Sequence, residues 1–282
     1  MTEPPAVPSD WEIVEQTLLA RGVGGAVWAV TRRERATAIV KVASEGARSE
    51  VVPAADYLRW RDGRGAVRLL AMHAEQLLLE HAGQERLLDL HRERGDDAAT
   101  ETAAAVVLEL HAPSRTLPPS SLTPLRKHFA SLFARAEAER AQGTPGRFTN
   151  LAAFAGDLLE RQRDVQPLHG DIHHENILRG PRGWLAIDPK GLIGDPAFDV
   201  ANLFHNPAGS PLCLSPARIA SMAAILARTL DRSVSDILSY ATAYSWLSAS
   251  WWLDDGNISV ASDTLAIGEA ILGVLVRQPV GP

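Results

Sequence analysis

Cysteine is almost missing from this 282-residue sequence, where Cys213 stands alone. A single thiol excludes an internal disulfide framework and a cysteine-rich zinc site, and it fits a reducing compartment. No uncharged apolar run approaches the roughly 18 residues of a membrane span. The opening MTEPPAVPSDWE has neither the basic n-region nor the apolar h-region of a secretory signal. The expected compartment is therefore the cytoplasm, with no membrane partner. Positive charge is not in excess either. The net charge of −6 argues against a nucleic-acid partner and leaves a cationic small molecule open. Repeats, heptads and low-complexity tails are missing as well. What remains is an ordinary globular composition, in a chain long enough for one large domain or two modest lobes with their own cores.

The chain changes character once. Ala26–Val30 and Ala38–Val42 are short β-favouring runs separated by a charged turn, Arg32–Arg35, and Val67–Leu70 and Gln76–Glu80 look like two further strands. Among the first strand signals lies Arg21-Gly-Val-Gly-Gly25. A glycine-rich hairpin can lay its backbone close to phosphates because no Cβ intervenes, so Gly24 and Gly25 are phosphate-binding candidates, beside the plainer reading of a turn. From Glu85 onward the spacing is helical: Asp97–His111, Pro124 to about Gln142 with a stop at Gly143-Thr-Pro-Gly146, about Leu151 to Gln162, Pro216–Leu230, Ser235 to about Asp254, and Ser262–Arg277. The fold class expected is α+β, a small β-rich N-terminal lobe over residues 1–82 and a larger helical lobe over 83–282.

The chemistry concentrates between Leu168 and Asp195, in LHGDIHHENILRGPRGWLAIDPKGLIGD. Asp171 follows a His-Gly, Asn176 stands five residues later, and Asp188 seventeen residues later at the end of an apolar run, Trp184–Ile187. That layout suits divalent metal and phosphate beside a hydroxyl nucleophile. Asp171 is placed to accept the proton of an attacking hydroxyl. Asn176 and Asp188 offer the hard oxygen atoms that Mg²⁺ takes. The protein-kinase catalytic loop has the same Asp-to-Asn spacing, and Ala38-Ile-Val-Lys41 matches the strand whose lysine reaches the α- and β-phosphates. His169 is expected to organise the loop and Gly170 to turn it. His173 and His174 tempt a zinc reading, but adjacent residues rarely face one metal and no cysteine or acidic ligand stands at a familiar spacing. Lys190 departs from the DFG of protein kinases, and either the phosphates or solvent can take its ammonium.

These residues resemble the aminoglycoside phosphotransferases, a family of small-molecule kinases. The longer strings HGDIHHENIL and AIDPKGLIGDPAFDVAN are similar to the streptomycin 6-phosphotransferase branch, the aminoglycoside/hydroxyurea antibiotic resistance kinases, and YLRWRDGRGAVRLL and LCLSPARIA suit it. The resemblance implies a protein-kinase-like two-lobe fold and an ATP- and Mg²⁺-dependent transfer to a hydroxyl of an aminoglycoside, with the 6-hydroxyl of streptomycin leading. It also implies a carboxylate paired with Lys41, Glu50 first and Asp56 second, although Pro53 between them disfavours an unbroken helix. The backbone at Glu80 and Ala82 would bind the adenine edge. Asp199 would brace the catalytic loop or bind substrate. A dicationic acceptor needs carboxylates, for which Asp195, Glu175, Asp254 and Asp255 are the candidates, and Trp246, Trp251 and Trp252 could stack on a guanidinium or form core. Two alternatives stand beside this: a kinase of the same fold for a sugar, amino sugar, choline-like alcohol or hydroxyurea, and a kinase-like binding module without turnover.

Overall fold

Trp28, Val30, Ala38, Val40 and Leu78 are buried between more exposed neighbours, and this period-two burial builds the N-terminal sheet. In the computed structural model, which describes residues 3–143 and 146–278, that sheet has five antiparallel strands. They are β1 (Ile13–Gly22), β2 (Gly25–Arg32), β3 (Thr37–Ala43), β4 (Leu69–His73) and β5 (Gln76–Glu80), in the order β1-β2-β3-β5-β4. Trp11 closes the outer face. The inner face, carrying Ile39, Lys41, Leu77 and Leu79, looks into the cleft below. The strand expected at Val67–Leu70 begins two residues late. Ala66 bridges Ala186 of the other lobe and Val67 N donates to Ala186 O (3.1 Å), so these residues stitch the lobes together instead.

Helix α1 (Arg48–Arg61) runs straight through Pro53, against expectation. The ring removes one N–H bond in the second turn, but Val51, Ala54, Ala55, Tyr57 and Leu58 are all buried around it. Packing at those positions outweighs the lost bond and the local clash, which cost about 3 kcal/mol in an exposed helix.

The larger lobe opens with β6 (Glu85–Arg86), α2 (Leu87–Arg94) and α3 (Asp96–His111), followed by β7 (Thr123–Pro124), α4 (Leu125–His128), α5 (Ala130–Ala141) and α6 (Arg147–Glu160). The helix expected from Pro124 to Gln142 is thus two pieces that meet at buried Phe129. The stop expected at Gly143-Thr-Pro-Gly146 includes residues 144 and 145, which lie outside the described residues. Next come β8 (Gln166–Leu168), β9 (Ile177–Gly180), β10 (Gly183–Ala186) and β11 (Leu192–Gly194), which with β6 and β7 make two small sheets, β10-β9-β6 and β7-β11-β8. A 3-10 helix at Pro196–His205 leads to α7 (Pro216–Leu230), α8 (Val234–Asp254) and α9 (Ile258–Leu275). Ser215 and Ser233 cap α7 and α8 through their hydroxyls, and Pro216 sits at the first position of α7, where a missing N–H costs nothing.

By length and mean hydropathy α9 is apolar enough to cross a membrane. It carries Asp263 and Glu269, however, and buries Ala261, Thr264, Leu265, Gly268 and Ile271 on one face against the helical lobe, the pattern of an amphipathic helix.

Candidate active site

The hairpin β9–β10 explains how residues far apart in the motif meet. Ile177 pairs with Ala186 and Ile187 N donates to Asn176 O (2.9 Å), so Asn176 and Asp188 emerge side by side from its open end. The loop before β9 is tied to the same end. Lys190 N donates to His169 O (2.7 Å), the His169 ring bonds Ile187 O through Nε2 (2.9 Å), and Asp171 N donates to its Nδ1 (3.3 Å). With a carbonyl at Nε2 and an N–H at Nδ1, the ring is the neutral Nε2–H tautomer. Burial, stronger than the neighbouring carboxylates, pushes its pKa down accordingly.

Asp199 holds this loop from beneath. Its Oδ2 accepts from His169 N (3.0 Å) and His111 Nε2 (2.9 Å), and its Oδ1 from Gly170 N (2.6 Å). Of its two expected roles, bracing is the one the geometry supports. Burial raises the carboxyl's pKa, yet His111 and the loop amides outweigh it and hold the group below the usual range. Gly170 has φ +82°, and a Cβ there would meet Leu192 Cδ1 at 2.6 Å, so this turn admits only glycine. Asp171 then projects with Asn202 Nδ2 on its Oδ1 (2.9 Å), while Asn176 Nδ2 reaches its backbone oxygen (3.0 Å) and Oδ2 (3.3 Å). That leaves Asn176 Oδ1 as the atom available to a cation.

Between the lobes lies a cleft of about 610 Å³. Gly24, Lys41, Glu50, Glu80 and Ala82 line it from the sheet side, and Glu175, Asn176, Asp188 and Lys190 from the helical side. Lys41 Nζ is paired with Asp188 Oδ1. Burial of Asp188 works upward on its pKa, but the Lys41 charge wins and keeps the carboxylate ionised. Asp188 also sits at φ +60°, in the left-handed region that L residues other than Asn and Asp seldom hold.

Several sequence assignments need correcting. Glu50 reaches the cleft but pairs with Lys190 Nζ (2.8 Å), not with Lys41, because Asp188 already occupies that ammonium. Lys190 therefore faces carboxylates; Asp171 and Glu50 raise its pKa against the effect of burial. Gly25 does not line the cleft. It has φ +132° and a Cβ would strike Val42 O at 2.0 Å, so strand packing demands this glycine, whereas Gly24 faces the open space. The four proposed acceptor carboxylates are not gathered. Asp195 is 5% exposed, and its oxygens accept from Ala197 N (3.0 Å) and Arg163 N (2.9 Å), which makes it the cap of the 3-10 helix. Glu175 stands on the nucleotide side of Asn176, 3.4 Å from Arg86. Asp254 is held by Arg135 of α5 (2.6 Å), and Asp255 is exposed at the end of α8.

The tryptophans divide. Trp246 is core against Phe154 and Trp252 is partly exposed, but Trp251 packs edge-on to His128 (5.1 Å between centroids) and Tyr244 (6.2 Å). Both of those rings feel the Asp171 carboxylate. Burial and then Lys190 push His128 down to about 4, and burial followed by Asp171 pushes the Tyr244 hydroxyl well up. Three packed rings, His128, Tyr244 and Trp251, thus lie within electrostatic reach of Asp171, with Lys190 as the charged neighbour.

Sequence reasoning missed Asn202, His111 and Arg182. Asn202 could have been suspected from its place three residues after Asp199. Arg182 gives two bonds to Glu80 (2.7 and 2.6 Å) and others to Gly63 O and Ala66 O, riveting the two lobes, and a turn arginine carries no sequence signal for that.

A family model described as aminoglycoside/hydroxyurea antibiotic resistance kinase matches residues 10–256. The chain belongs to this family. It is a phosphotransferase of the aminoglycoside phosphotransferase type, with an alcohol group as acceptor and the protein-kinase-like fold. Over 205 residues it is 42% identical to a streptomycin 3''-kinase of Klebsiella pneumoniae, covering 71% of this chain and 74% of the relative. A hydroxyurea phosphotransferase of Kitasatospora aureofaciens is 29% identical over 89% of this chain and 73% of its own length, and a streptomycin 6-kinase of Streptomyces griseus 26% identical over 93% and 85%. Among solved structures, a choline/ethanolamine kinase family protein of Mesorhizobium loti superposes with a TM-score of 0.68 at 13% identity, covering 95% of this chain and 91% of that one. An aminoglycoside phosphotransferase APH(4)-Ia in ternary complex with AMP-PNP and hygromycin B gives 0.61 at 16% identity over 93% and 94%. At such identities the structures speak for the fold alone.

Proposed function

We propose that the chain transfers the γ-phosphoryl group of ATP to a hydroxyl of streptomycin, the 6-hydroxyl first, and so confers resistance in the cytoplasm. The observation that carries the reading is the position of Asp171. It is an ionisable carboxylate oriented by two amide side chains, Asn202 and Asn176, and the second of these lines the cleft together with Lys41 and Asp188. ATP would lie along Gly24 and the Glu80–Ala82 segment, with its phosphates toward Lys41 and Lys190. Asn176 Oδ1 and the Asp188 carboxylate form a hard oxygen pair that fits Mg²⁺, which when bound neutralises charge on the β- and γ-phosphates. Taking up the nucleotide then requires Lys41 to turn from Asp188 to the phosphates, where Glu50 is the nearest carboxylate on α1 to steady it. Asp171 accepts the proton of the acceptor hydroxyl as its oxygen bonds the γ-phosphorus and the bond from that phosphorus to the β–γ bridging oxygen breaks, releasing ADP. The aromatic wall of His128, Tyr244 and Trp251 would take the flat face of a guanidinium or sugar.

Streptomycin is favoured because kinases for it stand among the relatives at both 42% and 26% identity. Hydroxyurea is the second reading, on a relative matched over 89% of this chain. The test is ADP release with streptomycin, other aminoglycosides, amino sugars and hydroxyurea, followed by NMR of the product. A phosphate on the 6-position supports the full reading. A phosphate on 3'' keeps the kinase and its acceptor and overturns the position, and turnover with hydroxyurea alone overturns the acceptor.

A further inference from the structure

Behind the catalytic loop, away from the cleft, four buried side-chain atoms have no hydrogen-bond partner among the described residues: His91 Nδ1, Asp96 Oδ2, and both ring nitrogens of His174. Leaving such groups bare costs free energy, and most buried polar atoms in folded proteins are paired. The three residues come from three segments, the last turns of α2, the first residue of α3, and the loop between Asp171 and Asn176. Each offers one ligand atom, and these atoms lie within 4.8 Å of one another. His174 is 1% exposed, and its ring stands edge-on to His91 with centroids 5.4 Å apart.

A purely structural polar cluster is the plain alternative. It can account for His91 Nδ1, which lies 3.4 Å from Asp96 Oδ1. It leaves both nitrogens of His174 without a hydrogen-bond partner among the described residues, and a bound ion would take one of them. The donor set and spacing instead fit a small cation. Ligand atoms about 2.0–2.1 Å from a tetrahedral ion stand roughly 3.3 Å apart, close to the His91–Asp96 separation. Two imidazoles and a carboxylate are the ligands of zinc and its neighbours, in contrast to the all-oxygen pair in the cleft. Asp96 is already oriented as an outer hydrogen bond orients a ligand: its Oδ1 accepts from Arg218 Nε (2.9 Å), and Arg218 is itself anchored on Asn206 O (2.6 Å).

We propose that His91, Asp96 and His174 bind one divalent transition-metal ion of the zinc type, with water as fourth ligand, fastening the catalytic loop to the α2–α3 corner. Leu88 N, which donates to His174 O (3.0 Å), already joins the same two segments. The site is separate from the nucleotide's metal and does not depend on which acceptor the enzyme uses.

The experiment uses the full chain, stripped with chelator and titrated with Co²⁺, whose tetrahedral complexes absorb in the visible, and with Zn²⁺ in competition. The expected result is one equivalent of tetrahedral Co²⁺ displaced by Zn²⁺, with Zn²⁺ at a hundredfold excess over Kd raising Tm by roughly 5 °C. His91→Gln, at a half-buried position, should weaken that binding at least tenfold with an unchanged circular dichroism spectrum, and His174→Asn should do the same. Asp188→Asn should retain it. No tetrahedral band, binding in His91→Gln as tight as in the wild type, or loss of the band in Asp188→Asn alone would each overturn the site.

Discussion

On the proposed nucleotide side of the cleft, Lys41 stands on β3, Glu50 on α1, and Asn176 and Asp188 just beyond the ends of the β9–β10 hairpin whose register sets them side by side, and opposite charges already face each other there. On the proposed acceptor side the rings of His128, Tyr244 and Trp251 pack together, and two of the carboxylates expected there, Asp195 and Asp254, serve elsewhere. We attribute the difference to what each side is proposed to handle. Phosphates and a hard cation need point charges at fixed distances, which a paired hairpin and a helix hold more precisely than a free loop. A guanidinium or sugar face can be held by apolar rings, and Asp171 itself supplies negative charge at the reacting end.

Substitutions on the two sides should therefore differ in size. Asp188→Ala should lower kcat about 10³-fold or more, read as ADP release at saturating nucleotide; a loss below tenfold would break the assignment of charge handling to this side. Beneath both sides, Asp199→Ala strips two loop amides and His111 of their acceptor and should cost about 3–5 kcal/mol in a denaturant melt. A change under 1 kcal/mol would mean that the brace is dispensable.

The aromatic side should show itself in acid. Burial and then Arg218 push His205 down to about 3, as burial and Lys190 push His128 down to about 4. Both are neutral in the fold but take a proton near pH 6.5 when unfolded. A depressed folded pKa contributes stability that is complete above the unfolded value and is lost as pH falls toward the folded one. Each histidine should thus cost roughly 1–2 kcal/mol between pH 7 and pH 5, and His128→Phe should flatten the fall of Tm over that window. Parallel curves for variant and wild type would contradict the neutral ring. The smallest effect belongs to Asp254→Ala, whose surface pair with Arg135 is worth at most about 1 kcal/mol. The acceptor KM should not move, and a tenfold rise would return Asp254 to the acceptor site.

The same contrast separates what was legible in the sequence from what was not. Asp171, Asn176 and Asp188 could be read together because one loop and one hairpin, all within 18 residues, carry them, and Lys41 lies on a short strand of recognisable pattern. Most helices of the larger lobe could be read from apolar spacing. Asp195 and Asp199 could not be told from substrate ligands, since their partners are backbone amides and a histidine 88 residues away. The Asp254–Arg135 pair spans 119 residues and the Asp96–Arg218 pair 122, and no local composition encodes such contacts. Pro53 misled for the opposite reason, since a local rule was overridden by burial around it.

The most direct test of the account compares wild type and Asp171→Ala for ADP release with streptomycin, ATP and Mg²⁺, with nucleotide affinity measured on the same samples. The account predicts release that depends on streptomycin in the wild type. In the variant it predicts a fall of about 10³-fold or more with nucleotide affinity within about twofold. A variant that keeps more than a tenth of the wild-type rate would contradict Asp171 as the proton acceptor.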